Sequence, residues 1–290
     1  LLIINEYEIT LFSIWPLIIW SFVGLLLYAL YEHPYILTLG MIISIISQMY
    51  SAMAFSSFDY VMFILFMLGY FHFVFHHSNK LFSYTFAIGL AIQLVILTIM
   101  EIDQYYWFIL FGIGMYLLAE IMPKPTLKTA LFYISIWTIL LFRMYESFML
   151  QEEYFINEIS THPLFSIIWA IVALIFLGLK WWKKSKFEWM DFILFLPFFF
   201  LPYDYIFIIV SMFIFSVYWL VIGFQRNIHE KIVIGIVSFL ISTFTVYVEF
   251  AWETLNRSLF FLIGGALLFI ISFLLERKRR TSSKKGDDVR

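Results

Sequence analysis

Arg143 and Glu146 stand three residues apart inside a long apolar run. That spacing sets an acid and a base on one face of a helix. Ionisable side chains within such a run are expensive to bury, so each is a lead to function. One reading is a local ion pair, with the guanidinium reaching outward on its own stem. The other is an anion or lipid-headgroup site. Gln48 and Gln93 lie near the middles of two further runs. At about 1.5 Å of rise per residue they reach similar depth. An amide placed there bonds across helices, worth on the order of 1 kcal/mol, or else contacts a substrate.

His72 and His76 are four apart, a spacing that can hold zinc on one helix face. No acid accompanies them and no other residue is placed to complete four ligands, so the pair is a weak metal candidate beside an interfacial reading. Glu152-Glu153 resembles a paired-glutamate protease motif, but Ile156 and Asn157 stand where its arginine belongs, and the pair falls in a polar loop. Glu120 precedes Met122-Pro123 and has Lys124 and Lys128 to neutralise it, which reads as interfacial. There is no cysteine, so thiol chemistry and disulfides are excluded. Phosphate-cradling loops, nucleophile elbows and nucleotide fingerprints are absent. No catalytic residue, cofactor or nucleic-acid partner is expected, and an enzyme is the less favoured class.

The elements that must position these residues follow from composition. Of 290 residues, 63% are hydrophobic and 13% charged, against about 45–50% and 25% in soluble domains. The bilayer must therefore be the main solvent and the first partner. Backbone groups in lipid need internal partners, which leaves helices or a closed barrel. The apolar runs are long and do not alternate, so the fold class is all-α, a polytopic integral membrane protein.

About eleven transmembrane helices are expected, at roughly 9–30, 35–55, 60–75, 81–100, 105–122, 127–148, 163–179, 189–201, 205–224, 232–247 and within 256–280. The eighth is short, contains Pro197, and either crosses or re-enters. Short loops imply successive antiparallel hairpins in one domain over residues 1–276. The chain opens on Leu1, and Leu1–Ile4 reads as the last turn of a helix further upstream, giving twelve spans in a full-length chain. Residues 277–290 form a basic, polar tail, expected to be disordered.

Arg277, Lys278, Arg279 and Arg280 anchor the topology, because basic residues stay on the cytoplasmic side. With them inside, the cytoplasmic loops hold Lys80, Lys124, Lys128, Lys180, Lys183, Lys184, Lys186, Arg226 and Lys231. The opposite loops hold Asp59, Glu101, Asp103, Glu152, Glu153, Glu158, Asp204, Glu249 and Glu253. One missed span would invert every later loop. Gly264-Gly265 in the last run is expected to let a neighbouring helix approach closely.

Two stretches resemble known families. Leu1–Leu27, with Asn5, Trp15-Pro16 and Gly24, resembles the helix–turn–helix of LiaF/LiaI-type membrane regions. The last helix, RSLFFLIGGALLFIISFLLERKRR, is similar to that of uncharacterised bacterial multi-pass families. The resemblance implies the cytoplasmic membrane of a Gram-positive bacterium and a role around envelope stress. The expected function is a multi-pass membrane protein, envelope-related or the partner subunit of another membrane protein, or a homo-oligomer. The alternative is a transporter or lipid flippase, with a polar path near Gln48, Gln93 and Arg143.

Overall fold

The computed structural model describes residues 14–77, 79–102, 104–150, 163–182, 188–200 and 204–251, with Leu262, Gly265, Ala266 and Phe269. The fold is all-α, with no strand among these residues. Helix α1 is Trp15–Tyr31, α2 is Pro34–Phe55 and α3 is Tyr60–His76. Helix α4, Lys80–Leu97, runs on through a wider π turn, Thr98–Ile102. A tight turn, Tyr105–Trp107, leads into α5, Phe108–Ile121. Helices α6, Pro125–Leu150, and α7, Pro163–Trp182, follow. Two 3-10 segments, Glu188–Phe195 and Phe198–Phe200, precede α8, Asp204–Arg226, and α9, His229–Val246.

Local chemistry sets these boundaries. Pro16, Pro34, Pro125 and Pro163 open helices, where a missing N–H leaves nothing unpaired. The Asp59 side chain accepts from the Met62 N–H at 3.0 Å, and Asn79 from the Phe82 N–H at 2.8 Å, capping α3 and α4. Glu32 and Ser56 close α1 and α2 in the left-handed region, each backbone N–H returning to the carbonyl four residues earlier.

Among the described residues, six helices are long and apolar enough to cross a membrane: α2, α4, α6, α7, α8 and α9. Three shorter apolar helices, Trp15–Tyr31, Tyr60–His76 and Tyr105–Ile121, match the first, third and fifth expected spans. The eighth expected span is not an α-helix but the pair of 3-10 segments, interrupted at Leu196-Pro197. The eleventh lies almost wholly outside the described residues, as do Arg277, Lys278, Arg279 and Arg280, the tail 277–290, Leu1–Ile4 and Glu152-Glu153. At Gly265 an added Cβ would meet no atom within 4 Å, and Gly264 lies outside the described residues.

The chain divides into two compact units, Leu1–Ser211 and Met212–Arg290. In the first, α1 pairs with α2 and α5 with α6, as hairpins. Between those pairs the order is not successive: α2 packs along α4, and α4 along α6. The core between them is aromatic, with Phe66 and Phe86 stacked at 5.0 Å. Gly40 makes room for Tyr70, whose hydroxyl would lie 2.4 Å from a Cβ there and donates to the Ser21 carbonyl at 2.8 Å. In the second unit Lys231 sits over the Trp219 ring at 5.1 Å, and the Ser216 and Ser242 hydroxyls lie 3.4 Å apart.

Candidate functional site

The site grows from one break in the backbone. In a 3-10 helix each carbonyl accepts from the N–H three residues on. Leu194 would pair with residue 197, which is proline and has no N–H. Arg143 fills the gap: its Nε donates to the Leu194 carbonyl at 2.8 Å. Trp169 Nε1 donates to the Phe195 carbonyl at 2.9 Å. An Arg143 terminal nitrogen donates to the Leu196 carbonyl. Three successive carbonyls at the break are thus capped by side chains from α6 and α7. Non-helical backbone at membrane depth is tolerated only where protein satisfies it in this way.

Arg143 does not reach outward. It is fully buried, pairs with the equally buried Glu146, and lies 5.5 Å from the centre of the Phe198 ring. The outward-reaching ion pair is corrected: the buried guanidinium turns onto the carbonyls of the break.

The 3-10 segments climb beside α5. Asp191 is level with Tyr116, and Phe199 packs on Tyr106 and Phe165 at 5.1 and 5.5 Å. From Tyr116 to Tyr106 is about 15 Å of helix axis. The steeper rise of 3-10 geometry, about 2 Å per residue, lets eight residues cover it.

A second group occupies the other end of this climb. Tyr116 donates to Asp191 at 2.6 Å. Lys180 donates to the Tyr116 hydroxyl and to Glu120, both at 2.9 Å. Lys128 reaches the other Glu120 oxygen at 3.4 Å. Asp191 is fully buried, Lys180 is 4% exposed, and Glu120 8%. The Lys180 ammonium also lies 4.8 Å from the centre of the Tyr116 ring. The expectation of a loop lysine at 180 is therefore corrected, while Glu120 is paired with Lys128, as its neutralisation required, and with Lys180 as well. Lys180 lies in the last turn of α7, covered by α5 and the 3-10 segment. Tyr116, Lys180 and Asp191 were not singled out from the sequence. The available signals were the four-residue spacing of Tyr116 and Glu120, and an aspartate at the head of DFILFLPFFF.

The other candidates are not gathered here. The Gln48 amide, oriented by its hydrogen bonds, pairs with both backbone groups of Asp59 at 3.0 and 3.2 Å. It anchors the turn before α3 and does not bond to Gln93. Gln93 is fully buried and neither of its amide atoms has a hydrogen-bond partner. His72 and His76 are exposed, and the His76 Nδ1 lies 2.8 Å from the His72 carbonyl. No group of three metal-ligating side chains occurs among the described residues. A cavity of about 690 Å³ between α2, α4 and α6 is apolar, lined by Met49, Val95 and Trp137 among others.

The fold and the break define an all-α protein with membrane-length helices and a buried ionic core. No family model, no curated protein and no solved structure matches the chain.

Proposed function

We propose that this chain is a membrane carrier, built around the broken segment between α7 and α8. One observation carries the reading. Five ionisable side chains, Glu120, Arg143, Glu146, Lys180 and Asp191, are buried on α5, α6, α7 and the 3-10 segment. Intramembrane charges mark substrate and ion pathways, and carriers place such sites where a membrane helix is discontinuous. In this reading there are about eleven spans, including the 3-10 crossing, and the C-terminal tail is cytoplasmic. Lys128 then lies at the cytoplasmic edge and Arg143 toward the outer face. The resemblance to LiaF/LiaI-type and other bacterial membrane families supports a bacterial cytoplasmic membrane.

A second reading is a static partner subunit for another envelope protein. The capping of all three carbonyls at the break favours it. The two readings separate by accessibility. The chain is naturally free of cysteine, and Ser135 on α6 is fully buried. A carrier that opens to each face in turn exposes Ser135→Cys to a membrane-impermeant thiol reagent from at least one side. Protection from both sides, in folded protein in vesicles, rejects the carrier and leaves the partner subunit.

A further inference from the structure

The ionic groups near α5 are joined by a hydrogen-bonded line. Lys128, its side chain 43% exposed, contacts Glu120; Glu120 contacts Lys180; Lys180 contacts Tyr116; and Tyr116 contacts Asp191. Exposure falls along it, from Lys128 to Asp191, which is fully buried. Every member can accept and release a proton. A static ion pair between Glu120 and Lys180 would not need the hydroxyl of Tyr116 to reach a second acid.

We propose that this line is a proton relay that loads Asp191 from the edge occupied by Lys128. This deepens the carrier reading, on which it rests, by naming the proton as the coupling ion. The transfer balances. Asp191 carboxylate takes the Tyr116 hydroxyl proton, and the Tyr116 oxygen takes one from the Lys180 ammonium. The resulting amine takes the proton of a Glu120 carboxyl group that water has protonated. Rotation about the Lys180 Cε–Nζ bond turns the amine lone pair to Glu120 before it accepts, and rotation of the Tyr116 hydroxyl turns its new proton away from Lys180 so that the line can run again. The net change is one proton moved from water to Asp191, with every other group returned to its first state. Charged residues on the elements packed against the Asp191 segment include Glu120 on α5, Lys180 on α7, and Lys128, Arg143 and Glu146 on α6, with Glu188 on the segment itself. Arg143 and Glu146 are committed to each other and to the break, and the Tyr116 hydroxyl donates directly to Asp191.

Asp191 sits four residues before Phe195 on the segment that Arg143 and Trp169 hold. Loading it changes the charge on the element that is broken, which is where a carrier would convert protonation into movement.

The test is read without transport, so its failure and the failure of the carrier reading are distinguishable. Full-length protein in lipid vesicles is taken through a rapid pH drop and followed by infrared difference spectroscopy. The expected result is a protonated-carboxyl band that Asp191→Asn abolishes. In Tyr116→Phe, which keeps the ring but removes the hydroxyl, the band rises at least tenfold more slowly. A thermal melt of each variant verifies folding. A band insensitive to Asp191→Asn, no carboxyl band in the folded protein across the accessible pH range, or an unchanged rate in folded Tyr116→Phe overturns the relay.

Discussion

Gln93 illustrates how the same residue type can be ordinary at one place and costly at another. Gln48 and Gln93 look alike in sequence, each near the middle of an apolar run. Gln48 satisfies its amide on the Asp59 backbone. Gln93, also fully buried, satisfies nothing. An unpaired buried amide costs about 1–3 kcal/mol, so Gln93→Leu should raise thermal stability of the detergent-solubilised protein. If Gln93 is instead paired through an unseen group, the substitution lowers stability. The Arg143–Glu146 pair is the opposite case. Its spacing was legible, because three residues on a helix always face one way. Its partners were not, because the Leu194 and Leu196 carbonyls lie more than fifty residues away in sequence, at 51 and 53 residues.

The broken segment is the element on which the rest depends. Pro197 signals a break in sequence, and a break needs donors from elsewhere. Arg143 and Trp169 supply them. The account makes these interactions energetically coupled. Arg143→Lys keeps a cation for Glu146 but loses the planar fork that reaches two carbonyls. Pro197→Ala restores the N–H that Leu194 lacks. The double substitution should therefore be more stable than the sum of the two singles, by about 1 kcal/mol, in a denaturation series on purified protein. Strict additivity would mean that Arg143 is not standing in for the missing N–H. The length of α2, α4, α6 and α7 was readable, since apolar runs report span directly. The geometry of residues 188–200 was not. Pro197 marks a break, but nothing in the run signals two 3-10 segments in place of an α-helix. Lys180 was hidden for a related reason: it opens a basic stretch with Lys183, Lys184 and Lys186, and so resembles a loop.

At the scale of the molecule, the long apolar helices are compatible with a membrane location, and the ionic groups divide between two ends of one climb. Lys180, Glu120, Tyr116 and Asp191 hold the level of the last turns of α5. Arg143 and Glu146 hold the break, close to where Phe199 meets Tyr106 and Phe165. This arrangement has a functional direction only if the 3-10 segment passes from one face to the other. The charge sorting of the loops depends on the same point, because every loop after it inverts if the segment turns back. Three single-cysteine variants, at Ser160, Ser185 and Tyr203, bracket α7 and the 3-10 segment. Labelled in sealed vesicles with an impermeant reagent, Ser160→Cys and Tyr203→Cys should react from the outer face and Ser185→Cys from the cytoplasmic face. If Tyr203→Cys reacts from the same face as Ser185→Cys, the segment does not cross, and the account of a broken transmembrane element is wrong.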